Sequence, residues 1–299
     1  MPYVATLISP PDGPPLGETV LGRVAGILGS SAPVWLAEGV AADFPVPDKP
    51  NLDCRRTADE IRHALGDIPV DVAVQSTAHR RKRLFLADMD STIIEQECVD
   101  ELADYAGIKP QVAAITERAM RGEIRFRPAL RERVALLKGL SVSVIDEVVA
   151  KHITLTPGAR ALVATMRAYG TYTCLVTGGF TLFSQRIATM VGFDESRANT
   201  LIIGSDGTLT GAVVEPIFGR DGKLETLQAL TARLGLDPVE TLVTGDGAND
   251  IAMIEAAGLG VAFHAKPMVA EAAAARIDHG DLTALLYLQG YRRADFVTE

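Results

Sequence analysis

Short apolar segments that alternate with helical stretches constrain the fold of this chain more than any other feature of its sequence. From residue 84 onward, the spacing of apolar residues predicts helices over stretches such as 160–169, 181–191 and 224–234. Alternating strands and helices predict an α/β fold, with a Rossmann-like parallel sheet covered by helices on both faces and ligands bound at the carboxyl ends of its strands. The segments interpreted as strands are 84–87, 172–176, 200–203, 241–243 and 259–262.

An insertion interrupts this alternation after the first strand. Far more residues lie between Asp88 and Thr177 than the roughly 30 that a strand–helix–strand unit needs. The surplus, residues 95–155, carries apolar side chains at helical spacing almost throughout. We therefore predict a helical cap inserted over the strand ends.

The first 75 residues have a different pattern. An apolar run at 3–7 and an alternating run at 70–74 flank two further short strands and two segments with helical spacing. This order predicts a βαββαβ unit. Since 299 residues are enough for two domains, we expect an N-terminal domain of residues 1–78 and a second domain of residues 79–299 that contains the cap.

The composition narrows the class of partner. Apolar residues make up 47% of the chain, which indicates a folded globular protein. The net charge of −9 argues against a general nucleic-acid binder, because such proteins neutralise phosphates with Lys and Arg. The basic run at 79–83 could contact nucleic acid, but we favour a solvated linker or charges that flank the start of a buried strand.

The cysteines and the hydropathy indicate the compartment. Cys54, Cys98 and Cys174 are far apart and form no C-x-x-C pair, which argues against a disulfide framework or a structural zinc site. No stretch approaches the roughly 18 uninterrupted apolar residues of a membrane span, and the N-terminus has no secretion signal. We expect a cytoplasmic protein that binds no membrane.

Carboxylates follow two of the predicted strands. Asp88 and Asp90 come directly after residues 84–87, and Asp246 and Asp250 come after residues 241–244. Four carboxylates at one sheet edge repel each other unless a cation lies among them, and hard oxygen ligands favour magnesium over zinc. The sequence therefore predicts a Mg²⁺ site, although either motif alone could be an acidic turn.

Two further segments offer donors for an anion. Thr177, Gly178 and Gly179 end a predicted strand and open a helix, where a hydroxyl and free backbone N–H groups form a small cradle. Lys223 lies at a predicted helix start, where a cation is unfavourable to the helix dipole and can instead serve a ligand. A helix cap and a solvated lysine are the alternatives.

Together these four elements, in this order, resemble the haloacid dehalogenase superfamily of phosphotransferases over roughly residues 84–288. The resemblance implies that Asp88 is a nucleophile that takes the phosphoryl group, and that Asp90 is the general acid and then the general base. It also implies that Mg²⁺ is bound by Asp88, Asp90 and Asp246, with support from Asp250. The phosphoryl oxygens would be bound by Thr177, Gly178, Lys223 and Asn249.

The insertion makes the resemblance more specific. Within this superfamily, the chain resembles the enzymes that hydrolyse O-phospho-L-serine in the last step of L-serine biosynthesis. This resemblance implies that Glu97 binds the substrate's amino group and that Arg133 grips its carboxylate through two parallel hydrogen bonds. Met120 and Phe126 would form an apolar wall. The residues on which this resemblance rests are Glu97, Ile115, Thr116, Ala119, Met120, Gly122, Phe126 and 130–134.

Some implications stay open at this point. The family usually has Ser where this chain has Thr177, so the hydroxyl is kept and a methyl is added. The first 75 residues resemble an ACT-type regulatory module, which suggests an L-serine effector or a homodimer formed through this domain, with packing as the alternative. Activity on another small phosphate ester, phosphoryl transfer to an acceptor, and a receiver-type phosphorylation switch are the alternative functions.

Overall fold

A computed structural model of the chain describes residues 3–30, 32–47, 52–121 and 123–297, apart from the side chain of Met120. The N-terminal part has the expected βαββαβ order, and its antiparallel sheet has the strand order β2-β3-β1-β4. Apolar side chains such as Leu7, Phe44 and Val72 alternate along the strands and pack against both helices. The elements are β1 (Tyr3–Ile8), α1 (Glu18–Leu28), β2 (Val34–Ala37), β3 (Ala41–Val46), α2 (Cys54–Leu65) and β4 (Asp71–Ser76).

The remaining described residues form the α/β part of the chain. Its first elements, which include the insertion, are β5 (Leu84–Ala87), α3 (Cys98–Tyr105), α4 (Lys109–Met120), α5 (Phe126–Leu136), α6 (Ser143–His152), α7 (Ala159–Ala168), β6 (Tyr172–Phe180), α8 (Thr181–Val191) and β7 (Glu195–Asn199). They are followed by β8 (Leu201–Ile203), β9 (Leu209–Val213), α9 (Arg220–Arg233), β10 (Thr241–Gly245), α10 (Ile251–Ala256), β11 (Leu259–Phe263), α11 (Pro267–Ala272), β12 (Ala275–Ile277) and α12 (Ala284–Leu288).

Parallel strands form the larger sheet, in the order β12-β11-β10-β5-β6-β7. Every residue of β5 is fully buried, which is typical of a strand with helices over both faces. β5 and β10 are adjacent, and both run toward the same edge of the sheet. The residues that follow these two strands therefore meet, as the sequence predicts.

One strand prediction is wrong. Residues 201–203 form β8, which pairs with β9 in an antiparallel hairpin and takes no part in the parallel sheet. Ile202 and Ile203 are 41% and 45% exposed, so the apolar character of this segment does not indicate that it is buried. The sheet is instead completed by β7 and β12, and β7 is a polar edge strand with the sequence ESRAN.

The helices α3 to α6 form the cap. Two chain segments connect it to the sheet, and they pair through an isolated bridge between Ile94 and Leu155. The backbone N–H of Glu95 donates to the Thr154 carbonyl at 3.0 Å, and that of Thr156 donates to the Ile93 carbonyl at 3.0 Å. We call this pair of segments, residues 93–95 and 154–158, the cap hinge.

The interpretation of the basic run at 79–83 as a solvated linker is wrong for two residues, and one of them, Arg80, joins the N-terminal part to the α/β part. The Arg80 guanidinium bonds the Asp43 carboxylate at 2.6 Å and also the Leu288 carbonyl at 2.8 Å. Buried Lys82 donates from Nζ to the Val239 carbonyl at 2.6 Å. These partners lie far away in the sequence, which is why the local pattern indicates only a charged segment.

In the part of the chain that the structure describes, no helix has both the length and the apolar content that crossing a membrane requires.

Candidate active site

The end of β5 positions the first carboxylate. The Asp88 N–H donates to the Thr244 carbonyl at 3.0 Å, which ties the ends of β5 and β10 together. The Asp88 carboxylate accepts a hydrogen bond from the Met89 N–H at 2.7 Å. At Ser91 the backbone adopts a left-handed conformation with φ of 55°, so the chain turns sharply just beyond the strand.

A buried ion-pair network lies beneath this carboxylate. Lys223 Nζ lies 2.7 Å from Asp88 Oδ1 and 2.6 Å from Asp250 Oδ1, and both Lys223 and Asp250 are fully buried. Burial alone would lower the pKa of Lys223, but the Asp250 and Asp88 carboxylates raise it overall. The ammonium is therefore retained, and it offsets part of the repulsion between two buried carboxylates.

Three carboxylates are close enough to share a cation. Asp88, Asp246 and Asp250 each offer an oxygen, and these oxygens all lie within 4.8 Å of one another. Burial and the neighbouring Asp250 raise the pKa of Asp246. Carboxylate oxygens are hard ligands, so this donor set fits Mg²⁺ better than zinc. Gly245 is required here, because a Cβ at this position would lie 2.5 Å from Asp250 Cγ.

Asp90 has a different environment from Asp88. Its Oδ1 accepts a hydrogen bond from the Cys98 N–H at 3.0 Å, and its Oδ2 accepts one from the Thr177 hydroxyl at 3.1 Å. Burial raises the pKa of Asp90, although these two hydrogen bonds oppose the shift. A raised pKa favours the protonated form of the carboxyl group, which is the form that a general acid needs.

The segment 177–179 lies in the site but does not open a helix, so this detail of the prediction is wrong. β6 continues to Phe180, which pairs with Asn199 of β7, and α8 begins only at Thr181. The Thr177 hydroxyl accepts a hydrogen bond from the Gly179 N–H at 2.9 Å. The hydroxyl thus links the end of β6 to Asp90, and the added methyl does not prevent this.

Asn199 supports the site, and the sequence analysis did not find it. Its Nδ2 donates to the Gly178 carbonyl at 2.9 Å and to the Phe218 carbonyl at 2.8 Å, and its Oδ1 accepts from the Phe218 N–H at 2.7 Å. The side chain thereby joins the last part of β6, at Gly178, to the loop that precedes α9, the helix that contains Lys223. Asn199 ends a polar edge strand, so no local pattern marks it.

The predicted site residues come together in one pocket of about 440 Å³ between the sheet edge and the cap. Lys223 and Asp250 lie beneath its floor, bonded to Asp88 or to each other. The Met120 side chain lies outside the described residues. Lys266 also lines the pocket and was not predicted. The predicted residues that line it are Asp88, Asp90, Glu97, Phe126, Arg133, Thr177, Gly178, Asp246 and Asn249.

Phe126 connects the cap with the floor of the pocket. It is the first residue of α5, and its ring faces two glycines of the α/β part. A Cβ at Gly178 would lie 3.3 Å from the ring, and one at Gly219 would lie 2.9 Å from it. A Cβ at Gly219 would therefore force the ring to shift, and one at Gly178 would be a tight contact.

Glu97 and Arg133 bring opposite charges to the cap side of the pocket. Although Glu97 is exposed to the open pocket, desolvation by the surrounding protein and the nearby Asp90 raise its pKa to about 7. Desolvation lowers the pKa of Arg133, while Asp100, Glu97 and Asp90 oppose that shift. The buried Arg133 Nε has no hydrogen-bond partner among the described residues. An unpaired guanidinium N–H in a pocket is suited to receive a carboxylate.

Comparisons with known proteins agree with this geometry. The sequence profile of the haloacid dehalogenase-like hydrolases matches residues 85–255. The chain is 47% identical to the phosphoserine phosphatase of Polaromonas sp. over 224 residues, which cover 73% of this chain and 94% of that protein. It is 45% identical to the phosphoserine phosphatase of Streptomyces coelicolor over 234 residues, 78% of this chain but only 56% of that longer protein.

A solved structure extends the similarity to both parts of the chain. The crystal structure of a haloacid dehalogenase family hydrolase from Salmonella enterica serovar Typhi has a TM-score of 0.86 and 28% sequence identity. The match covers 96% of this chain and 98% of that one. The N-terminal part therefore occurs together with the α/β part in that protein too.

Proposed function

The chain belongs to the haloacid dehalogenase-like hydrolases and, within them, to the phosphoserine phosphatase family, and from this we propose that it hydrolyses O-phospho-L-serine to L-serine and phosphate. One observation carries the proposal most directly. Asp88, which is paired with Lys223 and through it with Asp250, lines the same pocket as Arg133, whose buried Nε has no hydrogen-bond partner among the described residues. The network suits attack on phosphorus, and the guanidinium suits a substrate that carries a carboxylate.

In the first step, an Asp88 oxygen attacks phosphorus and forms the aspartyl phosphate. The bond between phosphorus and the serine oxygen breaks, and that oxygen takes the proton held by Asp90. The raised pKa of Asp90 supports this role, because the group must be protonated when substrate binds. L-Serine leaves, and Asp90 is left ionised.

In the second step, Asp90 acts as a general base. It takes a proton from a water molecule as the water oxygen attacks phosphorus, and the bond between phosphorus and Asp88 breaks. Phosphate and the free Asp88 carboxylate result, and Asp90 is protonated for the next cycle. Dividing one displacement into two in this way lowers the barrier of each.

Charge on the phosphoryl oxygens needs fixed donors. We assign this role to Lys223, the Thr177 hydroxyl, the Gly178 backbone and Asn249. The position of Lys223 Nζ supports the assignment, because it lies 2.7 Å from Oδ1 of Asp88, the attacking residue. Asp88, Asp246 and the Asp90 backbone carbonyl would hold Mg²⁺, with Asp250 beside them. The ion would neutralise the charge that develops during transfer.

Substrate choice is assigned to the cap. Glu97 would bind the substrate's ammonium group, Arg133 would bind its carboxylate, and Phe126 with Met120 would exclude water. The position of the Phe126 ring against Gly178 supports its part in this role. The reaction would then supply L-serine, as in the last step of its biosynthesis.

Phosphate release from O-phospho-L-serine tests the proposal. We expect turnover with Mg²⁺, loss of turnover after chelation with EDTA, and recovery when Mg²⁺ is returned. The matched variant is Asp88→Asn, which keeps the shape of the side chain but removes the nucleophile. Hydrolysis of other phosphate esters but not of phosphoserine would favour a different substrate, and a stable phosphorylated form without turnover would favour a switch.

We also propose the domain division at residues 78 and 79, with the cap at about 95–155. A hydrophobic cluster formed only by residues of the N-terminal part, such as Leu7, Phe44 and Val72, supports it. The N-terminal domain would bind L-serine or form a homodimer, which ultracentrifugation with and without L-serine tests. Three free cysteines support a cytoplasmic location.

A further inference from the structure

A buried carboxylate of the N-terminal part reaches across to the α/β part. Asp71, the first residue of β4, is 2% exposed. Its Oδ1 accepts hydrogen bonds from the N–H groups of Asp278 at 2.7 Å and His279 at 3.2 Å. Its Oδ2 accepts them from His279 at 3.3 Å and Gly280 at 2.7 Å. One side chain therefore fixes three successive backbone N–H groups that follow β12.

The segment fixed by Asp71 continues directly to the cap hinge. The fully buried Leu282 donates its N–H to the Pro157 carbonyl at 3.0 Å. Next to it, Gly158 has φ of 83°, and a Cβ there would lie 2.7 Å from the Thr283 nitrogen. The hinge therefore packs closely against residues 282–283, and there is no room for a side chain at position 158.

The same segment also supports the floor of the pocket. The Gly280 carbonyl lies 2.8 Å from His264 Nε2, in the loop that follows β11. Two residues later, the Lys266 N–H donates to the Asp246 carbonyl at 3.2 Å. Asp71 thus lies at the start of two short chains of contacts, one to the cap hinge and one to the metal side of the pocket.

The N-terminal part also lies beside the hinge. A cleft of about 540 Å³ is bordered on one side by Pro10 and Asp12, and on the other by Glu95 and Pro157. The hinge therefore has the N-terminal part along one flank and the segment held by Asp71 along the other.

From these contacts we propose that Asp71 is a positioning residue for the reaction. By holding residues 278–280 it fixes the position of the cap hinge. The N-terminal domain thereby helps to place the cap over the substrate. The proposal rests on the function proposed above, because the cap matters most for a substrate that Glu97 and Arg133 must grip. A carboxylate is suited to this position, since it accepts several backbone hydrogen bonds at once and offers no donor that would repel them.

The test uses the full chain with Asp71→Asn, and Asp43→Asn as the matched control. Asp43 is also a largely buried carboxylate of the N-terminal sheet, but it bonds Arg80 and Thr6 and leads to the end of α12, not to the hinge. Each protein is assayed with O-phospho-L-serine and with p-nitrophenyl phosphate, which has no amino or carboxylate group. Amide hydrogen exchange of residues 153–158 is measured separately.

For Asp71→Asn we expect kcat/KM to fall about tenfold with phosphoserine and by a clearly smaller factor with p-nitrophenyl phosphate. The contacts to the metal side of the pocket affect both substrates, whereas a displaced cap affects mainly the substrate it must orient. Exchange at residues 153–158 should become faster. Asp43→Asn should leave the ratio of the two substrates and the hinge exchange unchanged. Equal losses with both substrates, or unchanged hinge exchange in Asp71→Asn, would overturn the proposal.

A second variant keeps the test decisive if Asp71→Asn does not fold. In Gly280→Ala the new Cβ would lie 3.0 Å from Asp71 Oδ2, so the carboxylate must shift slightly while its charge is kept. We expect the same pattern with a smaller amplitude. The exchange measurement needs no activity, so it separates failure of this proposal from failure of the proposed function, which the wild-type turnover of phosphoserine decides.

Discussion

The floor of the pocket and its cap side differ in how far their charges are already paired. On the floor, Lys223 and Asp250 are fully buried, and Lys223 bonds both Asp88 and Asp250. On the cap side, Glu97 and Phe126 are exposed, and Arg133 Nε has no partner among the described residues. The buried ion pairs of the floor form within the protein, whereas Arg133 on the cap side offers a guanidinium N–H that a ligand can pair. Chemistry and selectivity should therefore be separable by mutation.

The largest effect after loss of the nucleophile is expected at Asp90, on the floor. Asp90→Asn should slow phosphoserine turnover by about 10²- to 10⁴-fold, because the departing alkoxide loses its proton donor. The loss should be smaller with p-nitrophenyl phosphate, whose leaving group needs no proton. Steady-state rates with both substrates measure this, and equal losses would contradict the acid role.

On the cap side, Arg133→Ala should lower kcat/KM for phosphoserine by about 10- to 100-fold, since a hydrogen bond to a charged group contributes about 1.5–3 kcal/mol. Hydrolysis of p-nitrophenyl phosphate should change little. The control is Arg131→Ala in the same helix, because Arg131 forms an exposed ion pair with Glu215. If Arg133→Ala impaired both substrates alike, the contrast between floor and cap would fail.

The pKa of Glu97, raised to about 7, predicts a pH dependence of substrate binding. Below this pKa the carboxyl is mostly neutral, and above it the carboxylate can pair with an ammonium group. The KM for phosphoserine should therefore fall about five- to tenfold between pH 6 and pH 8. Glu97→Gln measured with the same substrate is the control, because titration of the substrate phosphate is then common to both profiles. Identical profiles would remove Glu97 from ammonium binding.

The smallest effect is expected for Thr177→Ser. The hydroxyl that bonds Asp90 and the Gly179 N–H is kept, so kcat/KM should change by less than about twofold. Thr177→Val keeps the shape but removes the hydroxyl, and it should cost clearly more. A large gain in Thr177→Ser would show that the methyl crowds the floor.

The residues of the pocket floor can be predicted from the sequence better than the residues that hold them in place. Asp88 and Asp246 directly follow short apolar strands, and parallel strands bring their carboxyl ends to one edge, so this meeting can be inferred from local pattern. The N-terminal strand and helix order was also predicted from periodicity. The place of residues 201–203 in a separate hairpin was not predicted, because an exposed hairpin can carry the same apolar residues as a buried strand.

The side chains that support the structure through contacts with distant parts of the sequence are not marked by any local sequence pattern. Asn199, in a polar edge strand, bonds Gly178 of β6 and the loop at Phe218, and Asp71 bonds residues more than two hundred positions away. Arg80 lies in a basic run that looks like a charged linker, yet it is paired with Asp43 between the two parts of the chain. Whether a polar side chain is exposed or buried in such a position depends on which segments pack around it.

The sequence alone determined the order of strands and helices in the N-terminal part, the carboxylates at the strand ends and the resemblance to a family of phosphatases, because these follow from spacing and residue type within short segments. The tertiary structure decided that Lys223 bonds two aspartates, that Phe126 covers two glycines, and that Asp71 holds the segment beside the cap hinge. Hydrogen bonds and desolvation depend on distances of a few ångströms between groups far apart in the chain, and only the folded packing fixes those distances.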